Sequence, residues 1–251
     1  MRYEMLKRWS WGAVILMCCA TGAVAQIPFT LTGVTPLGAN MGGVYTSPYV
    51  ATIGGQTGIN VICDDYADEV QIGESWNVVA TDLSTLSTSS ASANQVVKWD
   101  TTDSATQQVD DYMTVAILGA ELLSINSNTE EAEDLSFAIW DVFTPGASNG
   151  LADSGAIAAD LSTAQGLAQT YLAESSSVAG ALSLDNISDV TIYTASPDSP
   201  GAVTNCTTCG TPQEFVRISM AEPPSPALLG FDLLGVAGLV FFVRRRWVGS
   251  V

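Results

Sequence analysis

The chain has 251 residues, enough for one substantial core, and is 47% hydrophobic but only 14% charged. Its 26 acidic and eight basic residues give a formal charge of −18, which sets it against nucleic acid and anionic membrane surfaces as partners. It contains no histidine, so the commonest general base and transition-metal ligand is missing, and with it Ser-His-Asp and Cys-His catalysis.

At the start of the chain, Arg2, Lys7 and Arg8 precede an apolar stretch from Trp9 to about Cys19. Ala23-Val24-Ala25 then supplies the small residues that a signal peptidase needs. This order predicts a signal peptide over residues 1–25, removed before Gln26. The apolar run is shorter than the ~20 residues of a comfortable membrane span, which favours removal over anchoring.

Residues 26–220 then read as one exported α+β domain. Strands are expected at Phe29 to Val34, Val44 to Ile53, Ile59 to Cys63 and Trp76 to Leu83, on their β-branched and aromatic content. Gly54-Gly55-Gln56-Thr57-Gly58 has hairpin composition, and Pro48 places its strand at an edge or a bulge. Alternation puts Ile59, Val61 and Cys63 on one face. The serine-rich "STLSTSSASANQ" reads as a surface loop.

The period then changes from two to about 3.6. Val109, Tyr112, Met113, Ala116, Ile117 and Ala120 form a helical stripe between Gln107 and about Ile125. Asn128 and Glu131 have the spacing of a capping pair opening a helix that Pro145-Gly146 ends. An alanine-rich helix is expected from about Ala152 to Glu174, burying Ile157, Leu161, Ala164, Ala168 and Leu172. Strands return at Val190 to Ala195 and Glu214 to Met220. Strands, helices and strands again make the α+β class, a β-rich N-terminal half with a helical middle.

Two stretches of the body invite chemistry. "VICDDYADE" (Val61 to Glu69) is the densest acidic cluster, and hard oxygens so close together suit calcium, although the order of an EF-hand loop is absent. Paired carboxylates could also serve an extracellular glycoside hydrolase, but 23 scattered acids single out no pair. Cys206 and Cys209 form a CxxC among turn residues, where a local disulfide in an oxidising compartment is the expectation rather than a redox or zinc site. The balance is a non-enzymatic body with no cofactor.

The tail carries the clearest signal. Pro223, Pro224 and Pro226 break the chain just before residues 227–243, a run of 17 residues with one charge, Asp232. As a helix this run would be about 25 Å long, slightly short of the ~30 Å hydrocarbon layer. Arg244, Arg245 and Arg246 follow directly, in the positive-inside pattern. Three of the acids, Glu4, Glu222 and Asp232, lie outside the body, leaving 23 acids against Lys98 and Arg217 between Gln26 and Ala221, a net charge of −21. Basic ends around an acidic middle put the middle outside the membrane.

Residues 221–246 resemble the PEP-CTERM sorting signal of exported bacterial proteins: Glu222-Pro223, one apolar helix and an arginine cluster near the C-terminus. Ala221 stands where that motif's first proline is usual. The resemblance implies recognition by a membrane enzyme, an exosortase, with cleavage near Glu222-Pro223, and a cargo of the cell surface or an exopolysaccharide matrix. A second resemblance covers residues 42–143. Cys63 on an early strand and Ala138-Ile139-Trp140 within "SFAIWDVF" resemble the thioester-type adhesion domains of bacterial surface proteins. In those a cysteine bonds to a glutamine two residues before the Ala-Ile-Trp motif. Ser136 occupies that position here, so the resemblance implies a copy without the reactive bond, in which Cys63 is a small buried hydrophobe.

Overall fold

The computed structural model describes residues 25–35, 40–41, 44–46, 48–86, 97–98, 104–125, 129–196 and 212–221. The expected signal peptide, Asn128, the Cys206 and Cys209 pair, and the tail with Glu222, Pro223, Arg244, Arg245 and Arg246 lie outside the described residues. The α+β class is observed, and among the described residues no helix is long and apolar enough to cross a membrane.

The early strands are β1 (Gln26–Val34), the short pair β2 (Asn40–Met41) and β3 (Val44–Tyr45), β4 (Tyr49–Ile53), β5 (Gln56–Cys63) and β6 (Ser75–Asp82). Four helices follow among the described residues, α1 (Ala105–Ser124), α2 (Thr129–Phe143), α3 (Ser154–Glu174) and α4 (Val178–Leu184), before β7 (Ile187–Ala195) and β8 (Phe215–Met220). Six strands close a barrel in the order β1-β4-β5-β8-β7-β6, with β1 also pairing β6, so the helices are an insertion into a barrel made from both sides of them.

Local chemistry explains most elements. Gly54 and Gly55 both adopt positive φ (58° and 85°), the requirement of a two-residue hairpin turn, so the expected five-residue loop contracts and β5 already begins at Gln56. The expected single strand from Val44 to Ile53 is instead two, β3 and β4, with Pro48 between them. Proline lacks the ladder N–H and cannot continue the pairing. Ser104 caps α1 by accepting from the Gln107 N–H (3.2 Å), and Ser177 caps α4 by accepting from the Gly180 N–H (3.1 Å).

Alternation divides the hydrophobic residues into two cores. Phe29, Leu31, Tyr49, Val61, Cys63 and Phe215 point into the barrel with their neighbours, and Phe29 meets Trp76 at 4.7 Å and Phe215 at 5.2 Å between ring centroids. Ile62, Ile192, Val216 and Ile218 point outward and are covered by α1, α2 and their companions. Helix α1 is the middle of that layer: every residue from Tyr112 to Ala120 is buried, beyond the single stripe expected. At Gly119 even a methyl group would collide with the Cδ1 atoms of Ile218 and Ile62, so glycine lets the helix backbone lie directly on the barrel wall.

Candidate functional site: the loop after β5

Strand β5 ends at Cys63, and the acidic segment that follows it is the point where barrel, helices and two distant loops meet. Cys63 is wholly buried in the barrel core, and its carbonyl accepts from the Trp140 indole Nε1 at 3.0 Å, tying β5 to α2. Its Sγ lies 3.3 Å from the Asp65 carbonyl oxygen. Burial, and then the neighbouring Asp65 and Asp64, push the thiol well above its usual range, which keeps it a thiol rather than a nucleophilic thiolate. Ser136 lies one turn before Trp140 on α2, is buried, and its hydroxyl donates to the Ala132 carbonyl at 2.7 Å.

The two consecutive aspartates diverge. Asp65 Oδ1 accepts from the backbone N–H groups of Ala67 (3.0 Å) and Asp68 (3.3 Å), folding the loop back on itself. Its other oxygen, with Asp68, holds the Lys98 ammonium. Gln213 completes the clamp, its Nε2 donating to the carbonyls of Asp65 (2.8 Å) and Asp68 (2.6 Å). Burial alone would lower the Lys98 pKa, but hydrogen bonds to Asp65 and Asp68 outweigh it, and the ammonium is held charged.

Asp64 points the other way, into the protein. Ionised, it would find no donor for either oxygen; carrying a proton, it can donate to Glu214, which lies within hydrogen-bonding reach. Burial first, then the adjacent Glu214 and Asp65, drive its pKa well up, so Asp64 is the protonated member of the pair. Glu214 is equally buried but better supplied. It accepts from the Tyr112 hydroxyl, the Thr194 hydroxyl and the Lys98 backbone N–H (2.9 Å), bonds that offset part of the burial that raises its pKa. Burial thus raises both carboxyl groups, and the donors around Glu214 favour Asp64 as the one that carries a proton.

This geometry bears on each kind of chemistry considered. Asp64 and Glu214 are both 0% exposed, and a glycosidic bond cannot reach between them. Asp65 and Asp68 are turned to Lys98 while Asp64 is turned inward, so the acidic cluster does not converge. Among the described residues no group of three or more His, Cys, Asp or Glu side chains could hold a metal ion. What the arrangement does is mechanical. It pins the end of β5 to α1, α2, the start of β8 and the segment around Lys98 through the hydrogen bonds of Trp140, Gln213, Glu214 and Lys98.

Beside this clamp is a cleft of about 390 Å³ whose lining includes Tyr45, Tyr49, Tyr66, Trp140, Asp68 and Glu69. The acidic segment was conspicuous in the sequence, but Lys98, Gln213 and Glu214 were not tied to it. The available hint was scarcity, since Lys98 is one of two basic residues in the body. No family model, curated protein or solved structure matches this chain.

Proposed function

We propose that the chain is an exported cell-surface or extracellular-matrix protein whose residues 26–220 form a non-enzymatic display domain. Residues 1–25 act as its signal peptide and residues 221–246 as its PEP-CTERM-like sorting signal. The observation that carries this reading is the charge map. Basic residues flank an apolar run at each end, and the intervening body holds a net charge of −21. Residues 227–243 form the membrane helix that holds the protein until an exosortase-type enzyme cuts near Glu222-Pro223. Asp232 in its middle costs roughly 2.5–3.5 kcal/mol on insertion scales and suits a temporary tether. The cut releases the body to the surface or to an exopolysaccharide matrix. The test is intact-mass analysis of the mature protein. Loss of residues 1–25 and of the terminal helix is expected, and a mature form that keeps its terminal helix would contradict the sorting reading.

A second reading concerns the body, and the Trp140–Cys63 bond favours it. In the thioester-type resemblance the cysteine strand and the Ala-Ile-Trp helix must meet, and here the indole of that tryptophan bonds the carbonyl of that cysteine. The body is then an adhesion-type domain with its reactive amide replaced by Ser136. Ser136→Gln restores the missing amide. Attack of the Cys63 Sγ on its Cδ would form a thioester and release ammonia, and an added primary amine would open that thioester to an amide, freeing the thiol and adding the mass of the amine. A folded Ser136→Gln protein that retains the ammonia would count against this reading.

A further inference from the structure

The cleft beside the Asp65–Asp68 loop combines features found together nowhere else among the described residues. Tyr45 and Tyr66 leave 48% and 40% of their surfaces in water at its edge, an unusual exposure for rings of that size. Neither is placed by chance of the loop. The Tyr66 ring rests against Trp140 at 5.3 Å and Phe137 at 6.2 Å, and the Tyr45 carbonyl accepts from the Tyr49 hydroxyl at 2.5 Å. The Tyr66 ring is thus packed against α2 and the Tyr45 backbone is tied to Tyr49, while part of each ring remains open.

The charge of the cleft is one-sided. Asp65, Asp68 and Glu69 line it and, among the described residues, no basic side chain does. Lys98 is shared by Asp65 and Asp68, so the three carboxylates and one ammonium leave two net negative charges, and Glu69, outside the ion pair, is exposed. An aromatic face carries negative potential, and a concavity focuses the field of the charges around it. Rings and carboxylates together attract a charged group that is weakly hydrated and large enough to touch a ring, which describes an organic ammonium and excludes an anion. A small hard cation is poorly suited, because the oxygens do not converge on a point.

We propose that this cleft binds an alkylammonium group, with Tyr45 and Tyr66 supplying the ring faces and Glu69 the unpaired charge. The group can come from a small quaternary amine or from an amine-bearing polymer, and the two sources are told apart by their probes. The inference stands independently of how the tail is processed, since it uses only residues of the barrel junction.

The experiment titrates the purified exported protein, by calorimetry and by ring-proton shifts, with choline and with choline's uncharged isostere in which carbon replaces nitrogen. Saturable choline binding with a Kd on the order of 1 mM is expected, with the isostere roughly tenfold weaker. Glucosamine oligomers, held at mildly acidic pH so that their amines are protonated, are compared with N-acetylglucosamine oligomers under the same conditions for the polymer source. Preference for the amine form supports the proposal and identifies that source, whereas choline binding with neither oligomer bound assigns the small amine. Tyr66→Leu should abolish choline binding and Glu69→Gln weaken it several-fold, both with unchanged circular dichroism since the side chains are exposed. Equal binding of choline and its isostere, tighter binding of the acetylated oligomer, or no heat or shift with choline up to about 10 mM would each overturn it.

Discussion

The barrel and the helical layer bury their hydrophobic side chains in opposite ways. The barrel joins β1, β4, β5 and β6 to β7 and β8 by strand pairing, so its core depends on contacts far apart in sequence. The four helices all fall between β6 and β7 in sequence, and most of their contacts are with one another. Its burial also grades outward: α1 is enclosed, while on α3 Ile157, Ala164 and Ala168 are buried and Leu161 and Leu172 are only partly so. The difference teaches that the barrel is the element that must form as a unit, with α1 as its lid and α3 as a replaceable outer cover. The clamp after β5 is where the two are joined.

Mutations at graded positions break or sharpen that contrast. The largest effect is expected in the barrel. Phe215→Ala removes a fully buried ring that stacks on Phe29 and meets Tyr49 edge-on, and should cost about 3–5 kcal/mol in urea-unfolding midpoints. Leu172→Ala on α3 should cost under about 1.5 kcal/mol. Equal losses would dissolve the distinction between an obligatory and a peripheral layer.

The junction comes next. Trp140→Phe keeps an aromatic ring but removes the donor to the Cys63 carbonyl, and should cost about 1–3 kcal/mol. Local opening of the β5 end, read by amide exchange at residues 63–69, should rise more than global unfolding does.

A smaller effect of opposite sign belongs to the helical layer. Asp134 on α2 is buried with Oδ1 unpartnered, and burial, followed by Asp153, Asp160, Glu130 and Glu133, pushes its pKa up to about 6. An acid whose folded pKa is raised binds its proton more tightly in the folded state, so it destabilises the fold as pH rises through about 6 and ceases to do so below its unfolded value. Asp134→Asn should therefore stabilise by on the order of 1 kcal/mol above pH 6 and give little near pH 4, in parallel thermal melts.

The smallest effect at neutral pH is expected for Asp64→Asn. Burial and the neighbouring Glu214 raise the Asp64 pKa and favour its protonated form, and an asparagine amide can still donate to Glu214. A raised folded pKa means that the wild type loses stability as pH rises through it, whereas the variant lacks that loss. Superimposable pH profiles of melting for the two proteins would show that the pair does not share a proton.

What the sequence revealed follows from how local each feature is. Val61 and Cys63 face one core because alternation is a property of neighbouring residues, and α1 showed itself through its own period. Helix α4 was missed, although Ser177 was a readable cap, because seven residues carry too little periodicity. Barrel closure was not legible, since it rests on pairings such as Phe29 with Trp76, whose registers no local pattern states. The same holds for the clamp. The acidic residues after β5 stand out, but their inward and outward turns are set by Lys98, Gln213 and Glu214, which arrive from other parts of the chain.

The central claim is that the acidic domain is carried across the membrane and held there by the tail. Fusing alkaline phosphatase, which is active only outside the cytoplasm, just before residue 222, and in parallel β-galactosidase, which is active only inside, measures this directly. Active phosphatase with silent β-galactosidase is the expected result; the reverse pattern would place the barrel inside the cell and contradict the account.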